Sequence, residues 1–503
     1  MNAALAVIAA FLAFALFVGL RARRGRTMSL EQWAVGGRGF GTLLVFLLMA
    51  GEAFSTFTFL GASGWAYSKG PPAFYILAYG ALAYLLGYWM LPAAWRHATK
   101  HNCVSFSDFF ATAYRSRALG VVVSLVAVLG MSALLIIQLR GLGIIVSEAS
   151  YGTIPPAVAI WCGAIAMVVY ITVSGIHGSA SIAIYKDILI LVIAIFLGIY
   201  LPLHYFGGFG EMFDRIEAAR PGFLQMPTSG LTLSWYNSTI LLTSLGYYLY
   251  PYVFTSVYAA KTESAVRKNT ILMPLYQMVI AFMFFVGFAA ILQVPGLTGA
   301  DSDLALLRIV KQTFSPWFVG VIGGVGVLTA LVPGSMILLN ASTLIAKNIY
   351  RDGFAPQASE AVIGKLAKRV LPVFGLVAVF FVLRGGATFV ALALFASSLL
   401  TQLFPSFVAS LLPRPFGNKY GAFAGIGAGA LVLLAAVGFD VTLRMLPGAS
   451  DTVASINMGL VALAVNAVTF VTVSMLTRSQ NVDGNVDGSS VDSDAEAGLL
   501  RKV

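Results

Sequence analysis

Charge is what this sequence has least of: 10% of its 503 residues are Asp, Glu, Lys or Arg, against 59% hydrophobic. No soluble globular domain carries that ratio, so the chain reads as a membrane protein. Cysteine is nearly absent. Cys103 falls at a cytoplasmic edge and Cys162 inside an apolar stretch, so no disulfide is expected. The four histidines (His97, His101, His177 and His204) lack metal-ligand spacing, and no glycine-rich phosphate loop follows a strand pattern. Both absences speak against an ATP-driven pump and give no cofactor a place. The net charge of +11 comes from small basic clusters at the ends of apolar segments. Such clusters report topology rather than a nucleic-acid partner.

What is present is a succession of apolar stretches of about 20 residues, enough to cross a hydrocarbon core of about 30 Å. We count 13. Those running outward to inward are 2–20, 72–95, 154–175, 236–260, 316–346, 388–412 and 454–477; those running back are 41–68, 119–147, 180–203, 270–293, 370–387 and 420–438. The first has no basic residue before it and is followed at once by Arg21, Arg23, Arg24 and Arg26, the reverse of a signal peptide. The N-terminus is therefore expected outside and the C-terminus in the cytoplasm. With that orientation 22 of the 31 Lys and Arg lie in cytoplasmic segments, as the positive-inside rule requires. The expected location is the inner membrane of a bacterium.

Residues 1–478 read as one polytopic unit. The polar, aromatic-free residues 479–503, with Asp492, Asp494 and Glu496, read as a disordered cytoplasmic tail. The segment 102–117 is too polar to span, and its Phe106, Phe109, Phe110 and Tyr114 recur at helical spacing. It is expected as an amphipathic helix lying at the cytoplasmic interface. Two spans at corresponding places carry helix breakers. The second has Gly51, Gly61 and Gly64 around Ser55, Thr56 and Thr58; the seventh has Gly246 and Pro251 amid Tyr247, Tyr248, Tyr250 and Tyr252. Paired broken spans point to inverted repeats with a solute site at the breaks, although glycines also serve close helix packing.

An ionisable group inside a span costs roughly 2.5–3.5 kcal/mol on insertion scales and calls for a partner or a task. Glu52, Arg140, Lys186 and Asp187 stand out. Glu52, at the break, is a candidate proton carrier or half of a permanent ion pair. Lys186 and Asp187 are adjacent, so they are expected on different faces of the helix, not neutralising each other. Arg140 can anchor a carboxylate with two hydrogen bonds; it can equally snorkel or pair with Glu148.

The run Gly51-Glu-Ala-Phe-Ser-Thr-Phe-Thr-Phe-Leu-Gly-Ala-Ser-Gly-Trp-Ala-Tyr67, the segments Ser174-Gly-Ile-His-Gly and Tyr185-Lys-Asp187, and Asn340-Ala-Ser-Thr-Leu-Ile-Ala-Lys-Asn-Ile-Tyr350 resemble the sodium:solute symporter family over about residues 30–478. Within it, Glu52 with the Ser/Thr-Phe run, Lys186 before Asp187, and Leu249-Tyr-Pro251 look most like bacterial monocarboxylate permeases. The resemblance implies an all-α membrane fold of about 13 transmembrane helices, with LeuT-type inverted five-helix repeats in spans 2–6 and 7–11 plus additional helices. It implies a sodium site at the Gly51 and Phe54 carbonyls, Asp187 and Thr329. There Val332 and Pro333 stand where sodium-dependent members place two hydroxyls, and hard cations need oxygen ligands.

These readings converge on a non-enzymatic secondary transporter, a cation-coupled symporter for lactate, pyruvate, acetate or similar acids, acting as a monomer or weak oligomer with the bilayer and its small-molecule substrate as partners. Ser55, Thr56, Thr58 and Arg140 are the substrate candidates, with Tyr247 and Tyr250 covering or gating. Glu52, Lys186 and Asp187 are the coupling candidates. Proton coupling is read ahead of sodium, which remains the alternative and the only candidate bound ion. Proline, pantothenate, sugars and nucleosides remain alternative solutes, and a transporter-like sensor or a membrane enzyme alternative classes.

Overall fold

The computed structural model describes residues 3–25, 28–412, 416–439, 441–445 and 447–478. The expected tail, 479–503, lies outside the described residues. The described part is helical, with one isolated parallel bridge between Phe40 and Ala260.

Apolar runs set the helices, and caps, glycines and prolines end them. α1 (Ala3–Arg23) is uncharged until Arg21 and Arg23 close it. α2 (Leu30–Val35) starts at Ser29, whose hydroxyl accepts from the Gln32 amide. α3 (Thr42–Ala53) stops within one apolar run; a π-helical turn, Phe57–Gly61, and α4 (Ala62–Lys69) continue it after a 49° bend. Next come α5 (Tyr75–Lys100), α6 (Phe106–Ala113) and α7 (Arg117–Ala149). Ser105 and Asp108 form a reciprocal cap at the start of α6. Its Phe106, Phe109 and Phe110 are buried against Phe254 and Phe407. This corrects the expected interfacial placement: protein aromatics, not lipid, take up the apolar face.

α8 (Pro156–Phe206) has 51 residues, or about 76 Å at 1.5 Å per residue, more than twice the hydrocarbon thickness. It turns at Gly175 (φ 55°, ψ −156°). Glycine alone reaches that conformation cheaply, and a Cβ there would press on Trp33. After α9 (Phe209–Ala219) and α10 (Leu233–Gly246), a 3-10 turn at Tyr247–Leu249 and an extended Tyr250 (φ −67°, ψ 127°) precede α11 (Pro251–Tyr258). Proline disfavours helical geometry in the residue before it and suits the first position of the helix that follows.

The remaining helices are α12 (Glu263–Gln277), α13 (Ile280–Gln293), α14 (Ala305–Thr313), α15 (Pro316–Thr343) with a π-helical extension Leu344–Arg351, α16 (Glu360–Arg384), α17 (Phe389–Thr401), α18 (Phe404–Leu411), α19 (Lys419–Gly438), α20 (Asp451–Ala454) and α21 (Met458–Leu476). α16 begins ten residues before the apolar stretch at 370, because its first turns carry Glu360, Lys365, Lys368 and Arg369, which an apolar count passes over.

Among the described residues nine helices are long and apolar enough to cross a membrane, or eleven when α3–α4 and α17–α18 each count as one bent span. The chain is a multi-pass membrane protein. The difference from 13 apolar stretches lies in α8, whose two stretches meet at the non-helical Gly175 and count together, and in α10–α11, broken at Tyr250. The central helix is α15: 94% of its most apolar window is buried, against 33% for α19 and for α21, which pack on each other at the periphery.

Candidate solute and ion site

The site begins with a carbonyl that loses its helical partner. In an unbroken helix the Ser55 amide would bond the Gly51 carbonyl; here it donates to Thr58 Oγ1 at 2.8 Å. Phe54 has left helical geometry (φ −100°, ψ 86°), so its carbonyl also turns out of the ladder. Buried carbonyls of this kind need a donor.

Lys186 supplies it. Its fully buried Nζ donates to Gly51 O (2.7 Å) and Phe54 O (2.7 Å) and lies 2.9 Å from Asp187 Oδ1. The three N–H bonds of the ammonium are thereby matched to three oxygens. Lys186 and Asp187 therefore do pair, contrary to the expectation from their adjacency. The long lysine stem curls around α8, so backbone spacing does not decide where the ammonium ends. Tyr276 also donates to Asp187 Oδ1, at 3.4 Å. Val332 of α15 packs beside Gly51. Thr329, the hydroxyl expected on sodium, instead donates to Gly326 O of its own helix at 2.7 Å.

One residue on, Glu52 turns the other way, into a cavity of about 50 Å³ between the two broken spans. Oε1 accepts from Ser256 Oγ at 3.2 Å, and Oε2 is buried without a hydrogen-bond partner. Ser55, Gln138, Tyr79, Tyr247, Tyr250 and Ser397 are among the other cavity residues. Tyr250 bonds Ser397 (2.6 Å), and Tyr84 bonds Tyr247 (3.4 Å).

The other sequence candidates stand elsewhere. Thr56 donates to Gln138 Oε1 at 2.7 Å and Thr58 to Ser55 O at 2.9 Å, so both hydroxyls tie the break together rather than lining the cavity. Arg140 reaches the carbonyls of Ala387 and Ala300 and the ring of Phe389, near one end of the bundle. Glu148 is paired with Lys311 (2.7 Å) instead. Gln138, Ser256 and Ser397 were not singled out from sequence. Gln138, an amide inside an apolar run, carried a readable signal; the two serines did not.

The opposite end is closed by backbone. Phe40 N donates to Ala259 O (3.0 Å) and Lys261 N to Phe40 O (2.9 Å), while Arg38 bonds Cys103 O (2.7 Å). Beside this closure, Asp108 accepts from Lys347, Asn348 (2.9 Å) and the amides of Val104 (2.8 Å) and Ser105 (2.9 Å). Burial opposes its ionisation, but Lys347 and these donors outweigh it and hold the carboxyl at about 2.

Comparison with known proteins bears on the family and the fold. A model of the sodium:solute symporter family matches residues 33–429. The Bacillus subtilis uncharacterized symporter YhjB is 54% identical over 479 residues, covering 95% of this chain and 98% of its own. A Rhizobium johnstonii monocarboxylate transport permease protein is 27% identical over 470 residues, 92% of this chain and 93% of its own. Among solved structures, a Na+-coupled sialic acid symporter in a substrate-bound outward-open state has a TM-score of 0.76 at 17% identity, covering 95% of this chain and 98% of that one. The nucleobase-cation-symport-1 transporter Mhp1 in a closed conformation has 0.59 at 15% identity, covering 90% and 96%. These last two likenesses concern the fold.

Proposed function

The chain belongs to the sodium:solute symporter family, and from that premise we propose that it takes up a small organic monocarboxylate, of the class of lactate, pyruvate or acetate, together with a proton in place of sodium. The observation that carries the coupling reading is the Lys186 ammonium on Gly51 O, Phe54 O and Asp187. It occupies the oxygens that the family resemblance assigns to sodium. A sodium ion there would meet a fixed positive charge, at roughly 4 kcal/mol for 4 Å separation and an effective dielectric of 20. Val332 and Pro333 add no side-chain oxygen.

The substrate class is supported by the Rhizobium relative's name and by a cavity with room for only a few heavy atoms. Ser55, Gln138, Tyr247 and Tyr250 would bind the solute, with Glu52 and Lys186 as the coupling groups. Dividing α8 at Gly175 and counting α10–α11 as one broken span brings the eleven candidates to thirteen. Spans 2–6 and 7–11 would then form the inverted repeats, with the N-terminus outside and the Phe40 closure facing the cytoplasm. Alternating access would open each end in turn.

The test is uptake of labelled pyruvate, lactate and acetate into proteoliposomes with proton and sodium gradients imposed separately. Uptake is expected to persist without sodium and to be abolished by an uncoupler. Saturable dependence on sodium would replace the proton by the family's ion, and no flux of any of the three acids would remove the substrate class.

A further inference from the structure

The ammonium of Lys186, reaching across from α8, and the carboxyl of Glu52 meet the same helix break but have different surroundings. Lys186 has spent its three donors on Gly51 O, Phe54 O and Asp187 Oδ1, leaving none for Glu52. Glu52 receives one neutral hydrogen bond, from Ser256, and its second oxygen has none. An ionised carboxylate in that position would be a buried, half-solvated charge, among the costliest arrangements a protein interior can hold.

Among the described residues the charges near Glu52 are Lys186 and Asp187, and since these two are already paired with each other, Lys186 relieves Glu52 only in part. α8 brings Lys186 and Asp187, already paired; α11 brings Ser256 and Tyr252; α5 brings Tyr79 and Tyr84; the break before α11 brings Tyr247 and Tyr250; α7 brings Gln138 and α17 Ser397. Among the described residues no Lys, Arg or His lines the cavity. The Gln138 carbonyl is held by Thr56, so its NH2 group, which makes no hydrogen bond among the described residues, is left for the cavity. With the hydroxyls of Ser55 and the tyrosines, this is a set of neutral donors. These donors suit a carboxylate solute, and Glu52 is the one group among them that in its ionised form would oppose it.

From this we infer that Glu52, protonated, donates through its free oxygen to the carboxylate of the bound solute, so that proton and anion meet on one residue while Lys186 stays a fixed cation. The inference rests on the monocarboxylate reading and adds the point of contact. Balance is simple: the O–H bond of Glu52 remains formed while the anion is bound, and no other group changes its proton count. Without the proton, two carboxylates would face each other, and the anion is refused. Binding of the anion thus requires one proton per solute, which makes the coupling obligatory.

The test uses the purified full chain in sodium-free potassium buffer, with pyruvate as probe, titrated from acid to alkaline pH. The affinity of the wild type is expected to fall by about tenfold per pH unit on the alkaline side, the slope of a single linked proton. Glu52→Gln, whose amide donates without titrating, should bind pyruvate with a flat pH profile and exchange it across proteoliposomes without accumulating it down a proton gradient. In weakly buffered solution, pyruvate binding to the alkaline wild type should take up close to one proton. That measurement needs no variant, so the inference is exposed even if Glu52→Gln fails to fold. An unchanged pH slope in Glu52→Gln, or binding without proton uptake in the wild type, overturns the inference and leaves the monocarboxylate reading standing. Tighter binding of tetramethylammonium as pH rises would also overturn it, by showing an ionised Glu52 that takes cations. If the wild type binds none of pyruvate, lactate and acetate at any pH, both fall together.

Discussion

At the scale of single residues, the arrangement turns on one ammonium. Removing one partner of a buried ion pair costs on the order of 3–5 kcal/mol, because the remaining charge is left unmatched. Lys186→Met would strand the Gly51 and Phe54 carbonyls and Asp187, so a large drop in thermal unfolding midpoint and loss of accumulation are expected. The vacated space is bounded by two carbonyls and a carboxylate, a ligand set for a hard cation. Sodium chloride is therefore expected to recover part of the lost midpoint in this variant, where equal potassium chloride does not and where the wild type is indifferent. Equal response to both salts would mean that these oxygens do not form a cation site. Glu52, Lys186 and Asp187 were legible because charge inside an apolar run is conspicuous. The pairing of Lys186 with Asp187 was not, because it depends on side-chain conformation rather than on helical register.

At the scale of elements, α6 is tied to the π-helical end of α15 through Asp108, Lys347 and Asn348. The Asp108 carboxyl titrates at about 2, below the usual value of about 3.9 in an unfolded chain. A depressed carboxyl stabilises the fold above the unfolded value and loses that contribution as pH falls through the folded one. The tie should weaken between about pH 4 and 2. Thermal unfolding in detergent is the check: the stability gap between wild type and Asp108→Asn should be full near pH 6 and shrink across that window. The same element shows the reach of pattern reading. The phenylalanine spacing of residues 106–110 identified an apolar helical face, but its partner, Phe254 and Phe407 rather than lipid, comes from distant parts of the chain.

At the scale of the molecule, the Phe40 end is shut by two backbone hydrogen bonds and by Arg38 on Cys103 O. Cys103 is buried, and burial, reinforced by Asp108, pushes its thiol up to about 12. Thiolate is the reactive form, so the closed molecule should react slowly with maleimide. A hydrogen bond from a charged donor contributes about 1.5–3 kcal/mol, so Arg38→Ala should open this end more often and raise the labelling rate by about tenfold or more. The measurement is made in Cys162→Ser, since Cys162 is exposed. No acceleration would mean that Arg38 does not help hold this end shut.

The sequence by itself determined that the chain lives in a membrane, because only lipid accommodates so many uninterrupted apolar runs. It also located the two broken spans, since glycine and proline act on the backbone within a residue or two of where they stand. It picked out Glu52, Lys186 and Asp187 by their isolation in apolar runs, but not the buried Asp108, Asp303 and Lys347. The tertiary structure decided which oxygens the Lys186 ammonium satisfies, that Arg140 reaches the Ala387 and Ala300 carbonyls rather than the cavity, and that Thr56 and Thr58 hold the break while Gln138 lines the cavity. The physical reason is one of range: helix breaking and burial of charge are local or compositional, whereas a hydrogen bond across 135 residues, as between Lys186 and Gly51, exists only once the helices have packed.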